Sequence, residues 1–323
     1  MMHVEIVGIG KKITRKDMVI KMELFEVTMK CGCVKKGRAW RIDNPKANVV
    51  IFEGMEEHLA RYDKFAQYLN KKGFAVFGID TFGQGANVKE DLSDLGVWPV
   101  NGFSKQLSFF DQLVTKLNEE TKLPTYIFAH SMGSFYAQAY LEEYGEHVGK
   151  IVLCGSGTKS NILGMGLTIA KIVTNEKNAQ EKATTLNKLM FGNFNNKIKN
   201  PRTPYDWLSV NEENVDKYIA DPLCGFGPRN RFCLEFIKGM VNIYKKENLK
   251  KIKGSIPLFF ISGDGDPVTG YGKFVEANKK LFSKYGTENI ETKIYQGMRH
   301  EILNEMQWET VAEDISNFFL KDL

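Results

Sequence analysis

The chain has 323 residues, 43% of them hydrophobic and 26% charged, with a formal net charge of +5. This composition is that of a folded globular protein and excludes an intrinsically disordered one. The mild positive balance gives no sign of a nucleic-acid partner: the lysines at 245, 246, 250, 251 and 253 are mixed with glutamate and asparagine, without interleaved aromatic residues, and read as solvated surface.

Residues 1–20 are expected to form an extension outside the core. They have no long apolar h-region and no small-residue cleavage site, and their V-G-I-G-K-K lacks the length and the terminal Ser or Thr of a phosphate loop. No run approaches the ~18 apolar residues of a membrane span, so no transmembrane helix is expected, and the missing signal-peptide pattern makes the expected location cytoplasmic. The five cysteines are odd in number and have no disulfide spacing. Cys31 and Cys33 form a C-G-C with no second metal-ligand pair, and Cys154 sits in an apolar run as a small buried hydrophobe. No metal site and no cofactor motif emerges.

Residues 22–42 predict two strands joined by a glycine-containing turn, an antiparallel start. After Pro45 short apolar runs alternate with amphipathic stretches. Strands are expected at 48–52, 74–79, 125–128 and 151–153, and helices at 61–71, 104–117 and 135–144. The alternation stops near 157 and resumes near 256, with strands at 257–261 and 291–295 and helices at 272–285 and 308–319. Such a pattern means an α/β fold: a mostly parallel sheet flanked by helices on both faces. The intervening 158–235 is too long for a structureless loop and is expected to be a helical insertion. The core is then split into 21–157 and 236–323.

The segment Ala129-His130-Ser131-Met132-Gly133 stands between a strand and a helix. A nucleophile elbow is a sharp strand-to-helix turn that lifts a serine hydroxyl above the sheet edge, with small residues two before and two after it. Ser131 is therefore the candidate nucleophile, against the plainer reading of an N-cap serine. A base must reach that hydroxyl from the carboxyl edge of the sheet. Of the five histidines, His300 follows the strand at 291–295 through a short loop and fits best. His3 lies in the extension, His130 leaves the elbow in another direction, His147 follows a surface helix, and His58 belongs to an early loop. An acid that orients the imidazole is expected on the loop after the strand at 257–261, where Asp264 and Asp266 compete. Asp266, farther out and followed by a proline, is preferred. A calcium loop is excluded by the missing ligands. The chain order Ser, Asp, His is that of α/β hydrolases. Two backbone donors for an oxyanion are expected at Met132 and, beyond Gly54, at Met55.

These segments together resemble the monoacylglycerol lipase / lysophospholipase family of α/β hydrolases, from about residue 36 to the C-terminus. The family's His-Gly-x-x-Glu-His-x-x-Arg-Tyr is similar to Glu53 to Tyr62, and its Asp-x-x-Gly-x-Gly to Asp80 to Gly85. Its nucleophile pentapeptide, Asp-Pro-Leu, acid loop and Gly-x-x-His-Glu-x-x-Asn-Glu resemble Ala129 to Gly133, Asp221 to Leu223, Gly263 to Pro267 and Gly297 to Glu305. Glu53 departs from the family's histidine and Ala129 from its first elbow glycine.

The resemblance implies an α/β-hydrolase fold with a helical cap that binds one acyl chain. The cap residues expected to do so are Ile162, Leu163, Leu167, Leu189 and Phe191, though the same side chains also suit plain packing of cap on core. It further implies a serine-dependent carboxylic-ester hydrolase acting on a monoacylglycerol or a lysophospholipid. An apolar cap of this kind would touch a membrane surface transiently. Two other readings stand beside it. The same three residues serve thioesterases, peptidases, short-chain esterases and acyltransferases, and the scaffold also carries non-catalytic binding proteins.

Overall fold

The computed structural model describes residues 21–323. The expected extension at 1–20 and His3 lie outside the described residues. In chain order the elements are β1 (Glu23–Thr28), β2 (Val34–Trp40), β3 (Ala47–Phe52), α1 (Asp63–Lys72), β4 (Phe74–Ile79), α2 (Gly102–Thr121), β5 (Thr125–His130), α3 (Met132–Glu143) and β6 (Lys150–Cys154). Then come α4 (Ile162–Val173), α5 (Thr184–Phe191), α6 (Glu212–Ala220), α7 (Asn230–Ile243) and α8 (Lys246–Leu249). The chain closes with β7 (Leu258–Gly263), α9 (Lys273–Lys284), β8 (Ile290–Tyr295) and α10 (Trp308–Leu320).

The strands form one sheet in the order β1-β2-β4-β3-β5-β6-β7-β8. β1 and β2 pair antiparallel, as the N-terminal hairpin pattern predicts, and β2 also pairs antiparallel with β4. From β4 to β8 every pairing is parallel. Strands β3 to β7 are buried on both faces, which is why their sequences are nearly continuous apolar runs rather than alternating ones.

The two-residue period of a strand sends alternate side chains to opposite faces. In β3, Val49 and Ile51 face the layer of α1 and α10, where Phe65, Leu69, Ile315 and Phe319 are buried. Val50 and Phe52 face the layer of α2, α3 and α9, where Phe52 stacks on Phe110 at 3.9 Å between ring centroids. Burying a phenylalanine of this kind contributes roughly 1.5–3 kcal/mol.

This is the α/β-hydrolase arrangement. After β3 the chain moves to β4 on one side and returns to β5 on the other, so the strand order reverses between β3 and β5. A crevice opens at the carboxyl end of such a reversal. The loops after β3, β5, β7 and β8 all leave from that edge.

The segment between β6 and β7 carries α4 to α8. Helix α7 crosses residue 235 unbroken and packs on α4 and α5 as well as on α2 and α3. The lysines after 245 lie on and around α8, where Lys251 pairs with Glu143 and Lys253 with Glu146 on the surface. Helix α3 begins at Met132, three residues before its expected start, because the turn at Ser131 feeds into it directly.

Candidate active site

Ser131 sits between the last residue of β5 and the first of α3, with φ 50° and ψ −115°. A non-glycine residue rarely holds a positive φ, and this strain needs support on both sides. The Ser131 N–H donates to the Cys154 carbonyl of β6 at 2.9 Å, and the Ser134 N–H donates to the Ser131 carbonyl at 2.9 Å. Gly133 is obligatory: a Cβ there would stand 2.0 Å from the Phe52 carbonyl oxygen. Ala129, by contrast, lies within β5 opposite Phe52 and Leu153, where its methyl is buried in the core.

The loop after β8 brings His300 to the same edge, and the loop after β7 brings Asp266. His300 Nδ1 lies 3.0 Å from Asp266 Oδ2, and both side chains are buried. The other Asp266 oxygen accepts the Val268 N–H at 2.8 Å. Asp264 instead accepts the Gly297 N–H at 2.8 Å, away from the imidazole. Trp207 packs against the His300 ring at 5.1 Å and His130 at 4.7 Å.

The remaining described histidines stand elsewhere. His147 bonds Asp111 at 2.7 Å near the start of β6. His58 Nε2 lies 2.8 Å from Asp221, which ties the loop after β3 to the segment between β6 and β7. Cys224 brings a third ligand atom close to these two. Burial pushes its thiol up.

Ser131 faces two cavities. One is a chamber of about 320 Å³ shared with His300 and lined by Met55, Glu56, Glu57, Tyr205, Trp207 and Tyr218 among others. The other is a channel of about 240 Å³ lined almost wholly by apolar side chains, with Phe135, Phe236, Ile237 and Met240 from the core side. Of the cap residues expected to bind an acyl chain, Ile162, Leu163, Leu189 and Phe191 line this channel. Leu167 does not: one turn farther along α4, it packs against the core.

The two expected oxyanion donors flank Ser131. Met132 occupies the first position of α3, so its N–H has no preceding turn to bond. The Met55 N–H makes no hydrogen bond among the described residues, while its neighbours Gly54 and Glu56 donate to Glu57 and Gln84 at 2.7 Å each. Both methionines line the channel beside Ser131.

Sequence reasoning missed a buried charged network beneath this loop. Arg61 makes two 2.7 Å bonds to Glu301 and one of 2.7 Å to Glu57. Glu57 also accepts from Tyr62 at 2.7 Å and lies 3.0 Å from His130 Nδ1. Burial alone would raise the Glu57 and Glu301 carboxyls. His130 and Arg61 outweigh it for Glu57, and Arg61 does so for Glu301, so both are held below their usual range. Burial works against charge on His130, but Glu57 prevails and raises its pKa. The sequence signals for it are the four-residue spacing of Glu57 and Arg61 and the places of Glu57, Arg61, Tyr62 and Glu301 in the family motifs, neither of which says that they meet.

Glu53, the departure from the family's histidine, is fully buried behind the same loop. It accepts the Thr81 N–H at 2.6 Å. Burial, and then the nearby Asp80, push its carboxyl well above the usual carboxylate range.

Comparison with known proteins agrees with this architecture. The chain is 25% identical over 293 residues to a monoacylglycerol lipase of Mycolicibacterium smegmatis, covering 88% of this chain and 92% of that one. It is 22% identical over 278 residues to a probable lysophospholipase L2 of Haemophilus influenzae, covering 80% and 78%. A carboxyl esterase from Bacillus coagulans, solved in complex with glycerol, superposes with a TM-score of 0.84 at 29% identity over 92% of this chain and 97% of that one. The family profile described as serine aminopeptidase, S33, matches residues 43–307, and the chain belongs to that family of α/β hydrolases.

Proposed function

We propose that the protein is a serine-dependent carboxylic-ester hydrolase acting on monoacyl lipids, a monoacylglycerol or a lysophospholipid. The observation that carries this reading is the position of Ser131 at the meeting of an apolar channel and a chamber of mixed lining, in which Glu56, Glu57 and Tyr205 stand beside Met55 and Trp207. A monoacyl lipid has the same division at its ester bond. Its acyl chain takes the channel, where each buried methylene contributes about 0.8 kcal/mol. Its alcohol takes the chamber.

In this mechanism Ser131 Oγ attacks the ester carbonyl carbon. His300 Nε2 takes the hydroxyl proton, while Asp266 holds Nδ1 and stabilises the imidazolium. The N–H groups of Met55 and Met132 bind the oxyanion. Collapse expels the alcohol, which takes its proton from His300 and leaves an acyl group on Ser131. Water, deprotonated by His300, attacks that acyl-enzyme and releases the fatty acid.

Residues 158–235 act as the cap in this reading. Ile162, Met165, Ile172 and Leu189 are exposed on it, and Ile162 and Leu189 also line the channel. That continuity supports transient contact with a lipid surface through which substrate enters. No helix among the described residues is long and apolar enough to cross a membrane.

The test is turnover of a monoacylglycerol and a lysophosphatidylcholine of one acyl chain by wild type and Ser131→Ala. Serine-dependent release of fatty acid from either is expected. Cleavage of a short ester with neither lipid touched would sink the lipid assignment. Undiminished turnover in Ser131→Ala would sink the mechanism.

A further inference from the structure

The loop after β3 is held at four backbone atoms around Met55. The Gly54 N–H donates to Glu57 Oε1 at 2.7 Å and the Gly54 carbonyl accepts from Gln84 Nε2 at 3.0 Å. The Glu56 N–H donates to Gln84 Oε1 at 2.7 Å and the Glu56 carbonyl accepts from the Gly225 N–H at 3.1 Å. One carboxamide thus bridges the residues on either side of Met55, whose own N–H makes no hydrogen bond among the described residues.

We propose that Gln84 is a positioning residue for the oxyanion hole: its carboxamide spans Met55 and fixes the peptide plane that aims the Met55 N–H at the oxyanion. This rests on the ester-hydrolase reading of Ser131.

The chemistry of the clamp requires an amide. A carboxamide donates at one end and accepts at the other, a carboxylate only accepts, and a thioether does neither usefully. Its orientation is fixed as well. Gln84 Nε2 lies 3.5 Å from Glu53 Oε1, and that oxygen already accepts the Thr81 N–H. A flipped amide would set oxygen against the Gly54 carbonyl and Glu53 Oε1, and nitrogen against the Glu56 N–H. Gln84 is itself fully buried, so no water can take over either bond. An oxyanion donor accelerates reaction only if it is aimed before the charge develops, and loss of one typically costs about 10²–10³ in kcat.

Gln84→Met and Gln84→Glu test the clamp. Each is expected to lower kcat for a short-chain ester by about 10–100-fold, with KM within about threefold of wild type, since the oxyanion forms only after binding. Affinity for an alkyl boronic acid, which forms a tetrahedral adduct on the serine, should fall by the same factor as kcat/KM. A merely structural role would instead move the thermal midpoint and leave the boronate-to-substrate ratio unchanged.

Wild type provides a measurement that does not depend on variant folding. On boronate binding the Met55 amide proton should shift more than those of Gly54 and Glu56, which are already bonded inside the loop. Retention of kcat within twofold in a folded variant, or larger shifts at Gly54 or Glu56, would overturn the proposal. Failure of the underlying ester-hydrolase reading would look different: Ser131→Ala would keep its turnover, or wild type would bind no boronate.

Discussion

His300 Nδ1 and Asp266 Oδ2 lie 3.0 Å apart in a site where both side chains are buried, while Asp264, two residues earlier, holds a backbone amide instead. The two aspartates therefore have separable roles. Asp266→Asn should lower kcat by about 10³–10⁴, by comparison with the same change in serine proteases. Asp264→Asn should stay within about threefold, because Asp264 accepts only a turn amide and an asparagine oxygen can still do so. Steady-state kinetics on one ester substrate checks both, and equal losses would contradict the assignment.

The Arg61 guanidinium sits between two buried carboxylates, Glu57 and Glu301. Arg61→Met would leave Glu301 without its cationic partner and Glu57 with His130 alone. Removing one partner of a buried ion pair costs about 3–5 kcal/mol. Urea unfolding at pH 7 should show a loss of that order, with a smaller loss at pH 4, where the freed carboxyls take up protons. Equal losses at the two pH values would contradict it.

Burial pushes the Glu56 carboxyl up to about 7, while an unfolded glutamate titrates near about 4.3. Below the unfolded value both states hold the proton and nothing is lost. Between the two values the unfolded chain releases its proton and the folded one keeps it, so stability falls as pH rises and levels off above 7. The fall has an upper bound of about 4 kcal/mol. Glu56→Gln should abolish this slope and be more stable than wild type at pH 8 but not at pH 4. Parallel stability curves for the two proteins would refute the assignment.

Met240 reaches the apolar channel from α7. Met240→Trp should shorten the channel and lower kcat/KM for long-chain monoacyl esters by at least about tenfold, with short-chain esters changed by less than about threefold. A uniform loss across chain lengths would place the acyl chain elsewhere.

Much of this architecture is legible in the sequence because each candidate site residue follows the carboxyl end of a strand. The apolar runs of β3, β5 and β7 and the β-rich segment of β8 are readable, and the turns at their carboxyl ends carry Met55, Ser131, Asp266 and His300 respectively. Gly133 is legible for a steric reason that the Phe52 carbonyl makes plain. The contacts that could not be read depend on partners distant in the chain. Arg61 and Glu301 are 240 residues apart, and Gln84 meets Gly54 and Glu56 only because β3 and β4 lie side by side. Leu167 shows the same limit within one helix. Its residue type matches that of Leu163, but only the packing of α4 decides which of them meets the channel.

The central claim is that Ser131 is an activated nucleophile. Treating the purified protein with a fluorophosphonate and locating the adduct by mass spectrometry tests it most directly. A single adduct on Ser131, lost in Ser131→Ala and slowed in Asp266→Asn, is the expected result. An unlabelled wild-type protein, or labelling that persists in Ser131→Ala, would contradict it.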